Sequence, residues 1–144
     1  MDSEEPPYDI EVEVVLTASD EQVYDAWLDP ALTQQWFGPG RGETEAVEID
    51  SRIGGKFRIV QVRDGVPVRH SGWYLVLERP THLAFTWRVD TDEGYDEVHI
   101  HLTPTPDGTL VRLVHTIDAI WKEYADRIRE SWESMLREMD RLLD

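Results

Sequence analysis

Between Glu43 and Ile117 the chain is broken at short intervals by Gly54-Gly55, Asp64-Gly65, Arg79-Pro80, Asp92-Glu93-Gly94 and Pro106-Asp107-Gly108. The stretches between these breakers are too short for a helix followed by a return strand, and parallel strands need crossovers of a dozen or more residues. Strands are therefore expected at 43–49, 55–63, 68–78, 82–89, 95–103 and 109–117, joined as an antiparallel meander. The last hairpin can be registered from pattern alone. If Val98 faces His115, then Ile100 faces Leu113 and Leu102 faces Val111, which gathers the apolar partners on one face. The same register puts His99, His101 and Arg112 on the other face.

The flanks obey other periods. Ile10, Val12, Val14 and Leu16 alternate with Glu11 and Glu13, as in a half-buried strand. Ser19-Asp-Glu-Gln22 is a capping-box signature that opens a helix carrying Val23, Ala26 and Trp27, and Pro30 ends it. A short helical turn over Ala31–Trp36 then leads into the loop Gly38-Pro-Gly-Arg-Gly42. After Asp118, Ile120, Trp121, Tyr124, Ile128, Trp132, Met135, Leu136, Met139 and Leu143 recur at spacings of three and four, which predicts an amphipathic helix to the C-terminus. About 26 residues at ~1.5 Å each would make it roughly 39 Å long. The whole is an α+β domain over residues 8–144 in which a bent antiparallel sheet wraps the long helix. Residues 1–7 are expected to be a disordered acidic tail.

Charge and composition exclude several functions. The 144 residues carry 30 acids and 14 Lys or Arg, a net charge of −16, and the first 40 hold ten of the acids and no base before Arg41. Such a chain is repelled by nucleic-acid phosphates and anionic lipid, and it lacks a basic stripe to offset that. With no cysteine there is no disulfide, thiolate nucleophile or Cys-held metal. No apolar run approaches the ~20 residues of a membrane span, and Met1 leads into an acidic segment where a signal peptide would be basic and then apolar. A soluble cytoplasmic protein is the expectation, and the oligomeric state is open.

Order and spacing of short motifs resemble one family. These are Ala26-Trp27 with Asp29-Pro30, Trp36-Phe-Gly-Pro39, Gly54-Gly55-Lys-Phe57, and Gly72 with Tyr74. Pro80-x-x-Leu83-x-Phe85-Thr86, Gly108-Thr109 with His115, and Trp132 followed by Leu136 complete the set. Together they resemble the START/SRPBCC superfamily, in its branch similar to the activator of the heat-shock protein 90 ATPase (AHSA-like domains). The resemblance implies the helix-grip (START/Bet v-like) fold, two short helices after the first strand, and an apolar cavity between sheet and C-terminal helix. In that fold the two helices flank the cavity entrance, so the base-free start of the chain implies an acidic rim that disfavours an anionic ligand. Ser131 departs from the glycine common before that Trp, with an expected effect on local helix packing alone.

Six tryptophans in a chain of this length exceed what a close-packed core needs and suit the walls of a cavity for an apolar molecule. The expected ligand-binding residues are Trp36, Phe57, Phe85, Trp87, His115, Trp121, Tyr124, Ile128 and Trp132. Packing of these rings as a filled core is the competing account. The preferred function is binding of a small hydrophobic or aromatic molecule. A cyclase- or dehydratase-like enzyme with His115 or Tyr124 as acid/base is the second reading. The resemblance supplies a third, a co-chaperone acting on the heat-shock protein 90 ATPase.

Other motifs carry less. His99-x-His101 has ligand spacing, but the hairpin register sets Arg112 beside His101 and leaves His115 on the other face, so no metal is expected. Asp90-x-Asp92-Glu93-Gly94 begins like a calcium loop, yet Tyr95 and His101 stand where glycine and glutamate are needed, so an acidic hairpin turn is expected. Gly54-Gly55-Lys56 lacks the rest of a P-loop, and no serine sits in a nucleophile elbow. No cofactor and no catalytic residue are assigned.

Overall fold

The computed structural model describes residues 5–90 and 94–144. Within them the chain runs β1 (Tyr8–Leu16), α1 (Asp20–Leu28), α2 (Pro30–Trp36), β2 (Glu43–Ile49), β3 (Lys56–Arg63), β4 (Val66–Glu78), β5 (His82–Val89), β6 (Asp96–Thr105) and β7 (Gly108–Ile117). A 3₁₀ segment (Ala119–Tyr124) and α3 (Ala125–Leu143) follow. All seven strands form one antiparallel sheet of order β1-β7-β6-β5-β4-β3-β2, so the first strand closes against the last. The β6–β7 register matches the sequence expectation, with Val98 opposite His115, Ile100 opposite Leu113 and Leu102 opposite Val111. Of the expected acidic tail and the acidic hairpin turn, residues 1–4 and 91–93 lie outside the described residues.

Local chemistry accounts for the helix ends. Ser19 and Gln22 form the reciprocal capping box that opens α1. Asp29 caps α2 through a bond from Ala31 N, and Pro30 occupies its first turn, where a missing N–H costs nothing. The C-terminal helix departs from expectation at its start. Ala119–Tyr124 is 3₁₀, with Asp118 as N-cap, and buries no side chain: Ile120, Trp121 and Tyr124 are all exposed. With no packed face to reward it, that segment keeps the tighter turn. The α-helix proper has 19 residues, or roughly 28 Å.

α3 lies across the concave face of the sheet with Trp132, Met135, Leu136 and Met139 buried in the main core. Its C-terminal half is tied to the β1–α1 connection by Asp140, whose Oδ1 accepts from both the backbone N–H and the hydroxyl of Thr17, each at 2.9 Å. One glycine shows why its position excludes other residues. A Cβ on Gly72 would stand 1.9 Å from the carbonyl oxygen of Thr86, because β4 and β5 close tightly there. This is the helix-grip fold.

Candidate functional site

The aromatic side chains divide into two groups. Toward α1 and α2, Trp27 meets Trp36 edge-on at 4.8 Å between ring centroids, and Phe57 meets Phe85 at 5.3 Å. The space left among them is about 20 Å³, room for about one water molecule. Trp36 is further fixed by its indole N–H, which donates to the Ala26 carbonyl at 3.0 Å. Trp36, Phe57 and Phe85 thus line packed core on this side.

Beyond Trp87 and Trp132, whose rings lie 5.3 Å apart, the sheet and α3 diverge around a pocket of about 350 Å³. Its sheet wall comes from one end of β3, β4, β5, β6 and β7; its other wall is the 3₁₀ segment and the first half of α3. Of the residues expected at a ligand, Trp87, His115, Trp121, Tyr124, Ile128 and Trp132 line it. Trp87 and Trp132 form a buried floor, while Trp121 and Tyr124 stand half exposed at the mouth. Ser131 also lines the pocket, so its departure from the family pattern touches more than helix packing.

His115 is 3% exposed and both of its nitrogens are engaged. The indole N–H of Trp132 donates to Nδ1 at 3.0 Å, which leaves the ring proton on Nε2, facing Asp96 Oδ2 at 2.9 Å. An imidazole used at both ends has no lone pair left for a substrate. It fixes the Trp132 ring and the Asp96 carboxylate in place.

Sequence reasoning missed the polar half of the pocket. Arg41, Arg63, Arg88 and Arg127 line it, against a single carboxylate among the described residues, Asp96. The expected acidic rim is therefore corrected: α1 and α2 contribute no wall residue, and Phe37, just past α2, is the nearest to do so. Loop chemistry places Arg41. Gln61, fully buried on β3, donates through Nε2 to the carbonyl oxygens of Phe37 and Gly38 at 3.3 and 3.0 Å. Gly38 has a positive φ of 53° and no room for a Cβ, which would meet the Gln61 amide. Gln61 Oε1 in turn accepts from Arg63 Nε at 2.7 Å. Burial lowers the Arg63 pKa, and the nearby positive charge of Arg41 adds to the shift.

His70 was also missed. It sits in the pocket wall with its ring 4.7 Å from Phe37 and 5.3 Å from Trp87, and its Nδ1 hydrogen bonds to the Ile59 carbonyl at 3.3 Å. Burial, reinforced by the charge of Arg63, pushes its pKa down to about 4, so the ring is neutral at pH 7.

On the outer face of the sheet, the two-histidine reading is also revised. β5 brings His82 directly opposite His101, so three imidazoles gather where the β6–β7 hairpin alone offered two.

Comparison with known proteins agrees with the fold. A protein from Chromobacterium violaceum has 26% identity over 94% of this chain and 96% of its own, with a TM-score of 0.85. One from Rhodobacter sphaeroides has 24% identity over 98% and 96%, with a TM-score of 0.84. A protein of unknown function from Staphylococcus aureus has 25% identity over 96% and 94%, with a TM-score of 0.82. No curated protein matches the chain. Among the described residues no helix is long and apolar enough to cross a membrane. The family model described as activator of Hsp90 ATPase homolog 1-like protein matches residues 17–144, from the end of β1 to the C-terminus. The chain belongs to that family.

Proposed function

We propose that this domain binds a small aromatic or apolar molecule bearing an acidic group, held in the pocket between the sheet and α3. The observation that carries the reading is the pairing of an aromatic floor, Trp87 and Trp132, with four arginines on the walls of a 350 Å³ space. Apolar walls with a few convergent polar groups are the usual make-up of a small-molecule site. Burying a ring against tryptophan supplies affinity, and a guanidinium recognises a carboxylate through paired hydrogen bonds. The net charge of the chain does not oppose this, because the acids concentrate elsewhere and the local field in a cleft is set by its own lining.

The enzyme reading loses His115, which is engaged at both nitrogens, and is left with Tyr124 at the pocket mouth as its acid/base. The chaperone reading has the family's description as its support, and the ligand reading has the pocket. Calorimetric titration of 1-naphthylacetate against its neutral amide, 1-naphthylacetamide, tests the proposal. The carboxylate is expected to bind one per chain and at least tenfold more tightly than the amide, with the preference lost in Arg63→Gln/Arg127→Gln. Equal binding of acid and amide, or no binding of either, overturns the assignment.

A further inference from the structure

The face of the sheet opposite the pocket carries a second cluster. His82 begins β5, while His99 and His101 point outward from β6, and Leu83, Phe85, Val98 and Ile100 fill the core side of the same two strands. Each of the three rings offers a nitrogen within 4.8 Å of the other two. His82 Nε2 and His99 Nδ1 are 3.1 Å apart. Two imidazole nitrogens bound at ~2.0–2.1 Å to a tetrahedral ion would sit about 3.3 Å from one another, so this pair is already at coordinating separation. His101 stacks on His82 at 4.3 Å between ring centroids.

Glu97 sets the tautomer of His99, and Glu78 lies farther from His82. Glu97 Oε1 lies 3.3 Å from His99 Nε2, and Glu78 Oε1 lies 3.7 Å from His82 Nδ1. A carboxylate beside one ring nitrogen holds the proton there and leaves the lone pair on the other, the arrangement that orients metal-bound imidazoles. In the metal-free protein His82 Nε2–H donates to the lone pair of His99 Nδ1 across 3.1 Å; a metal ion would take the place of that proton, with His82 carrying its own on Nδ1 beside Glu78. Arg112, opposite His101 on β7, is held by Glu11 on β1, whose Oε1 accepts from Nη2 at 3.0 Å. Its charge is thereby partly neutralised, which removes the objection that the hairpin register raised.

We propose that His82, His99 and His101 form a binding site for a divalent transition-metal ion of the zinc type on the outer face of the sheet. Neutral imidazole donors select zinc, nickel, copper and cobalt over magnesium and calcium. Three protein nitrogens leave a fourth coordination position for water or an outside ligand. The site is separate from the pocket, so its failure would leave the ligand proposal standing.

Titration with ZnCl₂ by calorimetry tests it. The whole chain is expected to bind one Zn²⁺ in the micromolar range or tighter and to show no comparable response to Mg²⁺. His82→Ala, His99→Ala and His101→Ala should each weaken binding tenfold or more, and Glu97→Gln about tenfold. No heat at 100 µM Zn²⁺, or a triple histidine variant that binds within threefold of the wild type, overturns the site. A readout on the unmodified chain needs no variant to fold. The ring signals of His82, His99 and His101 should move with Zn²⁺ in NMR spectra while those of His70 and His115 stay, and movement of all five alike counts against the site.

Discussion

Acidification from pH 7.5 to 4.5 should withdraw about 2.5 kcal/mol of stability through His70 alone. Its imidazole titrates at about 4 in the fold, because it is buried in the pocket wall near Arg63, and near 6.5 in an unfolded chain. Between those values the unfolded state takes up a proton that the folded state refuses, so stability rises with pH across the interval and falls as pH drops through it. At 1.36 kcal/mol per pH unit the full effect approaches ~3.4 kcal/mol, of which about 2.5 is spent by pH 4.5. The assay is urea unfolding at pH 7.5, 6.5, 5.5 and 4.5 on wild type and His70→Gln. The difference between the two cancels the carboxylates and the other histidines, and glutamine keeps a donor for the Ile59 carbonyl. The wild type should lose stability relative to the variant along a curve that starts near pH 6.5. An acid group bound in the pocket would raise the His70 pKa and flatten that curve, so saturating 1-naphthylacetate gives a second reading. A difference that does not change with pH, or a His70 ring that titrates near 6.5 by NMR, refutes the reasoning.

Two substitutions test packing. Gly72→Ala sets a Cβ against the Thr86 carbonyl and should destabilise by ~1–3 kcal/mol or more, measured as a lower urea midpoint at unchanged slope. Trp132→Phe removes the N–H that His115 Nδ1 accepts; the buried acceptor it strands should cost about 1–3 kcal/mol in the same assay. An unchanged midpoint in either variant contradicts the contact named.

Where burial leaves a periodic trace, the fold was legible. The alternation in Val98–Leu102 and Val111–His115 gave the β6–β7 register, and the Ser19–Gln22 box gave the start of α1. The same method applied one strand earlier would have found His82. Facing Leu83 to Ile100 and Phe85 to Val98 puts His82 opposite His101, as the structure has it. The basic pocket left no such trace. Its arginines come from the Gly38–Gly42 loop, β3, β5 and α3, and nothing local to any one of them says that the others are near. The tryptophans were half legible. Their number pointed to a cavity, but which rings pack together and which face open space depends on how far α3 diverges from the sheet.

The six indole N–H signals in a ¹H–¹⁵N spectrum test the ligand pocket most directly, because each tryptophan reports from a known place. On titration with 1-naphthylacetate, the signals of Trp87, Trp121 and Trp132, which line the pocket, should shift to a common saturation point. Those of Trp27 and Trp36 in the packed core, and of Trp73, which meets Tyr95 edge-on, should hold still. Shifts confined to Trp27, Trp36 or Trp73, or no shift at all, would contradict the account.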